Sequence, residues 1–411
     1  VNGAVKSREQ QISVTEADQL LARHQSGFGT IACPLGDARG RVLREEVCAD
    51  REHPPFDRVT MDGIAIDWDT WCKGTRAFRI DGAQHAGDPV SRMSRPDVAI
   101  EVMTGAVLPE GSDCVIPVEE IEVSGDIATV CDGYDVSRMR YVHAAGSDHP
   151  AGHVLLREGS ILNAPHVAIA ASCGKATLQV SKKPSVAVVS TGDELVAVKE
   201  TPEPHQIRRS NVHGVMAALA ARLGIEAKSF HMPDDEVSLR DTLADMLACF
   251  DVLILSGGVS MGKADFVPKV LADLAVRKVF HKVSQRPGKP MYFGLSSNDK
   301  PVFGLPGNPV STLVTLHRYV LPWLERAQGM AGEAVKERAS LSRAHQFAPA
   351  LTQFLPVCVT SGEDGTLQAE PAPTNTSGDY GALAETDGFI ELPAEQSEFQ
   401  AGYSAPLYRW S

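Results

Sequence analysis

The chain has 411 residues, of which 43% are hydrophobic and 22% charged, and a formal net charge of -13; such a length calls for roughly two to four domains, and such a composition for an ordered globular protein. The acidic balance, with no basic run, excludes nucleic acid as the main partner, because a phosphate backbone needs clustered Lys and Arg; any anionic ligand must find its cations locally. No window approaches the ~18 uninterrupted apolar residues of a membrane span, the opening VNGAVKSREQQ has no apolar signal core, and eight scattered cysteines without CxxC spacing read as reduced thiols, so the expected location is the cytoplasm with no membrane partner.

In chain order, residues 13–24 read as a helix near the N-terminus that packs on a later domain. Residues 45–180 read as an irregular β-rich insertion, short strands between Gly, Pro and Asp turns as in SGDIATVCDGYDVS. From 184 to 326, β-branched runs alternate with helical patterns. The segments 185–190 (SVAVVS), 251–256 (DVLILS) and 301–305 (PVFGL) are buried strands that end in glycine-bearing turns. Between the first two, Ser210 is placed to cap a helix with Val212, Val215, Met216, Leu219, Ala220 and Leu223 on one face, and Gly224 stops it. A strand at 230–232 and a helix at 236–249 follow. The expectation is a largely parallel sheet covered on both faces, with its ligand site at the carboxyl ends of the strands. Beyond 326, strands at 354–360 and 388–392 make a small terminal β domain. The chain thus divides into 1–28, 29–180, 181–328 and 329–411, a multidomain α/β plus β protein.

Four turns of the α/β part carry chemistry. SGGVSMG at 256–262 follows an apolar strand, where glycines let backbone N–H groups converge on an anion, and Asp265 stands three residues beyond. RPGKP at 286–290, preceded by Lys282 on an expected strand, puts three cations within eight residues, with Pro287 and Pro290 stiffening the turn that aims Arg286 and Lys289. GLPGNPVS at 304–311 is a second strand-to-helix turn, with Asn308 and Pro309 starting the helix. STGDE at 190–194 places Asp193 and Glu194 at a strand end. With Asp234 and Asp235 after the neighbouring strand and Asp265 after the next, carboxylates from three strand ends converge on one edge, an arrangement able to hold Mg²⁺. In the β-rich part, Asp62 and Thr104 lie in turns able to touch a ligand. His149 and His153 are separated by Pro150 and Gly152, which excludes a helical metal pair.

Taken in order, MDG, MTGAxxPEGxDxVxPxE, STGDEL, SGGVSxGxxD, RPGKPxxFG and GLPGNPVS resemble the MoeA/gephyrin family over nearly the whole chain. The resemblance implies a parallel-type, MogA-like α/β domain that binds molybdopterin, inserted β-rich domains, a barrel-like C-terminal β domain, and an elongated homodimer with its active site between subunits. The activity it implies is a transferase step: molybdate enters the dithiolene of adenylylated molybdopterin and AMP leaves. By resemblance, Glu194, Asp234 and Asp265 act at Mg²⁺ and the pyrophosphate, Glu194 and Asp265 as metal ligands, while Gly257, Gly258 and Ser260 cradle phosphate. Lys282, Arg286 and Lys289 neutralise oxyanions, and Pro306, Gly307, Asn308 and Ser377 complete the pterin and oxyanion site. Asp62, Thr104 and Asp148 face it across the dimer interface. Further partners implied are the molybdopterin adenylyltransferase and enzymes that accept the cofactor.

The chain departs from the family where an arginine-rich stretch gives way to His143, Ala144, Ala145, Gly146, Ser147 and Asp148, and where Pro356 stands at an expected arginine. Arg58 and His143 are the cations able to substitute. A binding protein that holds or delivers molybdopterin without turnover is the alternative to the transferase, and the full carboxylate set favours the transferase.

Overall fold

A computed structural model describes residues 11–233, 235–258, 266–331, 337–372 and 376–411. The apolar strands anticipated at 185–190, 251–256 and 301–305 form as Val186–Thr191, Val252–Ser256 and Pro301–Leu305. Their neighbours in space are set by alternation along each strand. Val186, Val188, Val252, Ile254, Phe303 and Leu305 face one side, against the helix Asn211–Leu223 and the N-terminal helix. Ala187, Val189, Leu253, Leu255 and Val302 face the other, against Glu236–Cys249 and Val267–Asp273. Both faces are therefore covered, as a mostly parallel sheet requires.

The six strands lie in the order Lys228–Met232, Val186–Thr191, Val252–Ser256, Pro301–Leu305, Tyr292–Leu295 and Arg277–His281. The first four are parallel, and Tyr292–Leu295 runs antiparallel between its two neighbours. From Val186–Thr191 the chain first crosses to one side and then to the other. That reversal leaves a crevice at the carboxyl ends of Val186–Thr191 and Val252–Ser256, the place where such sheets bind ligands.

Ser13 starts the N-terminal helix Val14–Arg23 with a reciprocal capping box to Glu16, and Val14, Ala17 and Leu21 join the α/β core. The chain then leaves through Thr30–Pro34 and returns through Thr177–Ser181, which pair antiparallel. Everything between them is an insertion. Its outer part is a six-stranded sheet, in the order Cys114–Pro117, Gly63–Ile66, Val98–Val102, Ala77–Gln84, Ile127–Val130, Ile121–Ser124. Its inner part packs Leu43, Val47, Leu162 and Leu178 around the helix Ala164–Ser172.

The C-terminal strands close on themselves. Thr352–Ser361 pairs with Leu367–Pro371, which pairs with Arg338–Leu341, then Ser404–Arg409, then Gly388–Leu392, which returns to Thr352–Ser361. This five-stranded barrel is filled by Leu341, Leu355, Val357, Ile390, Leu392 and Leu407, and closure removes the exposed edges an open sheet would leave.

Some local expectations differ from what forms. Ser210 makes no side-chain cap to the helix after it, because its backbone is already helical (φ -94°, ψ -37°). Gly224 does stop that helix, at φ +58°. Ala220 turns to solvent, and Ala218 takes the buried place. Lys282 lies just beyond the end of its strand at φ +78°, a turn conformation rather than an extended one.

Candidate active site

The crevice at the strand ends opens into a cleft of about 770 Å³, within the range of small-molecule sites. Three of its walls are the turns singled out in the sequence. After Val252–Ser256 come Gly257 (φ +93°) and Gly258 (φ +64°). A Cβ at Gly258 would stand 2.6 Å from Thr191 Oγ1 and 2.8 Å from Val267 Cγ2, so only glycine lets this turn close on the neighbouring strand. The second wall is Pro306, Gly307 and Asn308. Pro309 sits at the first turn of its helix, whereas the Asn308 side chain reaches away from that helix and donates from Nδ2 to Ser377 Oγ at 2.7 Å. Two residues 69 apart in sequence are thereby fixed together at the cleft.

The third wall is the RPGKP turn, held from below by Gln285. This glutamine is buried, donates from Nε2 to the Gly288 carbonyl at 2.9 Å, and accepts from the Tyr319 hydroxyl. Gly288 adopts φ +91° with no room for a Cβ, which would meet Thr315 Cγ2 at 2.5 Å. Arg286 and Lys289 are exposed into the cleft and form no ion pair with any described residue. The Glu194 carboxylate is likewise exposed in the cleft without a hydrogen bond to a described residue. The fourth wall belongs to the barrel: Leu351 and Gln353 to Pro356 present no charge. Among the described residues the cleft is thus lined by one carboxylate, Glu194, and two cations, Arg286 and Lys289, in a protein of strongly negative net charge.

The structure brings Glu194, Gly257, Gly258, Arg286, Lys289, Pro306, Gly307, Asn308 and Ser377 into one cleft. Lys282 is not among the residues lining it. Asp234, Ser260 and Asp265 lie outside the described residues, and Asp235 is engaged in capping its own helix through Ser238 N at 2.8 Å. Among the described residues no group of three His, Cys, Asp or Glu could hold a metal ion. His149 and His153 stack ring on ring at 4.7 Å and belong to no such group.

Asp62, Thr104 and Asp148 belong to the insertion and do not line this cleft. Thr104 donates to Asp62 Oδ1 from its backbone N (2.6 Å) and its hydroxyl (2.8 Å), and these bonds hold the Asp62 carboxyl below the usual carboxylate range. Arg58 and His143 are cross-strand neighbours. Arg58 Nη2 lies 3.2 Å from His143 Nδ1, and His143 Nε2 lies 3.0 Å from Asp148 Oδ1. A guanidinium can only donate, so this chain assigns the imidazole a proton on Nε2, given to Asp148.

Sequence reasoning passed over Thr191, Gln285, Gly288 and, apart from Pro356 and Ser377, the residues that the C-terminal domain brings to the cleft. Thr191 lay inside a motif whose acids drew the attention. Gln285 and Gly288 adjoin named cations, but their partners Tyr319 and Thr315 come from a distant helical segment.

The whole-chain comparison decides the family. Over 401 residues the chain is 41% identical to the molybdopterin molybdenumtransferase of Synechocystis sp., covering 97% of this chain and all of that protein. The chain belongs to the MoeA family. The MoeA N-terminal region (domain I and II) matches residues 12–174, a probable molybdopterin binding domain matches 187–326, and the MoeA C-terminal region (domain IV) matches 338–410. The molybdopterin molybdenumtransferase of Staphylococcus aureus strain Mu50 is 28% identical over 410 residues, 98% of this chain and 96% of that one. Among solved structures, a molybdopterin biosynthesis MoeA protein from Pyrococcus horikosii superposes with a TM-score of 0.83 at 28% identity, covering 98% of this chain and 100% of the other. A MoeA protein of Pyrococcus horikoshii OT3 gives 0.79 at 25% identity, with 97% and 100% covered. The cleft of the MoeA fold here lies within the segment matched as molybdopterin binding, closed on one side by domain IV. No helix among the described residues is long and apolar enough to cross a membrane.

Proposed function

We propose that this protein is a molybdopterin molybdenumtransferase that inserts molybdate into adenylylated molybdopterin and releases AMP, acting in the cytoplasm. The observation that carries the reading is the end-to-end match to the Synechocystis transferase. The cleft supports it chemically. Breaking the adenylyl pyrophosphate bond leaves negative charge on a phosphate oxygen, and Arg286 and Lys289, which have no ion-pair partner among the described residues, would neutralise it and attract the molybdate dianion. The glycine turn at 257–258 and the Pro306–Gly307 turn offer backbone to the pterin phosphates. Glu194 is available to a metal because no described residue occupies its carboxylate; with Asp234 and Asp265 it would hold Mg²⁺, which when bound draws charge from phosphate oxygens. Downstream, the finished cofactor passes to accepting enzymes, and the adenylyltransferase is the source of substrate.

The test is to incubate the protein with adenylylated molybdopterin, Mg²⁺ and molybdate and to follow AMP. Release no faster than in the absence of protein removes the transferase reading. An Asp265→Asn variant is expected to lose release while retaining pterin.

Asp62, Thr104 and Asp148 are placed in the cleft of a partner subunit under this reading, since they do not line the cleft of their own chain. The expected consequence is complementation. Asp62→Asn and Glu194→Gln are each inactive, yet when mixed and allowed to exchange subunits they recover roughly a quarter of wild-type activity, because half the dimers are mixed and each has one intact site. No recovery, with exchange verified, places both residues in one subunit's site.

A further inference from the structure

Three hydroxyls stand at the carboxyl ends of the adjacent strands Val186–Thr191 and Val252–Ser256: Ser190, Thr191 and Ser256. Ser190 Oγ is paired with the Phe230 carbonyl and with His231 Nδ1, and Ser256 Oγ accepts from Asn211 Nδ2 at 3.0 Å. Thr191 differs. It is only 4% exposed, it lines the cleft, and its Oγ1 has no hydrogen-bond partner among the described residues. A buried hydroxyl without a partner costs free energy that the fold recovers only when something binds it.

The direction of that hydroxyl is fixed by its neighbours. Ideal Cβ positions at Gly257 and Gly258 would come within 3.4 Å and 2.6 Å of Thr191 Oγ1, so Oγ1 points at the glycine turn. Any larger residue at 258 would press on it. Two successive glycines at positive φ form a concave stretch of backbone of the kind that receives anionic oxygens, and the cations that line the cleft, Arg286 and Lys289, set its preference for negative charge.

We propose that Thr191 Oγ1 donates a hydrogen bond to an anionic phosphate oxygen of the bound ligand, beside the Gly257–Gly258 turn. The assignment rests on the transferase reading for the identity of that ligand, a phosphate ester of the pterin or its adenylyl group, and adds a residue to the site. The unliganded protein carries the unpaired hydroxyl as a standing cost, and ligand binding relieves it.

The test uses Thr191→Val, which keeps the shape and removes the hydroxyl, and Thr191→Ser, which keeps the hydroxyl. The probes are AMP and inorganic pyrophosphate, read by calorimetry and by ligand-induced shifts in melting temperature. Thr191→Val is expected to bind at least one of them about tenfold to a hundredfold more weakly, as expected for loss of a hydrogen bond to a charged group, while melting at the same temperature as wild type or higher without ligand. Thr191→Ser restores most of the affinity. A merely structural hydroxyl would give the opposite pattern, a lower melting temperature without ligand and unchanged affinity, and that result overturns the assignment. So does wild-type protein that binds neither probe, or Thr191→Val binding both within twofold of wild type. Failure of the transferase reading shows separately: wild type then releases no AMP from adenylylated molybdopterin even where pyrophosphate binding depends on Thr191.

Discussion

Replacing Arg286 by Met is expected to lower the rate of AMP release by about 10²–10³-fold, and Lys289→Met by a similar order, the range seen when one preorganised donor is taken from an oxyanion site. Both side chains are exposed in the cleft and carry no ion pair with a described residue. Their removal should therefore change stability by less than about 0.5 kcal/mol, so the loss falls on turnover. The size of the effect depends on how firmly the turn is held. Gln285 bonds the Gly288 carbonyl from below and is itself fixed by Tyr319, which lies in the buried helical segment 316–320. The turn backbone that carries both cations is held in place before the ligand arrives. Arg286→Lys keeps the charge but not the planar fork, and should retain part of the rate. Steady-state AMP release with matched melting curves checks these values. Variants within tenfold of wild type would show that the cations only line the entrance.

How far the sequence carried this site depends on how local each contact is. The cleft's strand ends were legible because a buried parallel strand must be apolar on both faces and must end in a turn, and SVAVVS, DVLILS and PVFGL do both. Their carboxyl ends followed from the direction of the chain, and with them Glu194, Gly257, Gly258 and Asn308. The insertion was legible as a change of texture and from an N-terminal helix expected to pack on the later domain, as Val14, Ala17 and Leu21 do. That its two ends meet, Thr30–Pro34 against Thr177–Ser181, is a pairing across nearly 150 residues.

Three features were beyond local pattern. The barrel wall of the cleft comes from a separate domain; the resemblance pointed to Pro356, but no local pattern announces that Leu351, Gln353, Phe354 and Leu355 line the same cleft as the RPGKP turn. Lys282 was grouped with Arg286 and Lys289 by proximity in sequence, but it takes a positive-φ turn backbone and is not among the residues that line the cleft. Thr191 was hidden because a hydroxyl reveals a role only through the absence of partners, and that requires coordinates. The uncharged Pro356 is visible in both: among the described residues no cation lines the cleft from the barrel side.

Arg318→Met is expected to cost about 3–5 kcal/mol of stability, the range for breaking a buried ion pair and leaving its partners uncompensated. The guanidinium is 6% exposed and holds three parts of the chain at once. Nη1 and Nη2 donate to the two carboxylate oxygens of Asp18 at 2.8 and 2.7 Å, and Nε donates to Glu391 Oε2 at 2.9 Å, which also accepts from the Tyr408 hydroxyl at 2.8 Å. Burial works against the charge on Arg318, but Asp18 and Glu391 outweigh it and keep the group protonated. Asp18 belongs to the N-terminal helix and Glu391 to the barrel, so the network fixes the barrel against the α/β domain and with it the wall that closes the cleft. Removing the cation strands two carboxylates, with Glu391 the more deeply buried at 19% side-chain exposure against 43% for Asp18. Asp18→Asn, at the wetter end, should therefore cost about 1 kcal/mol, much less than Arg318→Met. Urea unfolding of the two variants beside wild type measures the difference. An Arg318→Met variant within about 1 kcal/mol of wild type would mean that the domains are held by apolar packing alone, and a variant that stays folded but loses AMP release would locate the effect in the displaced barrel wall.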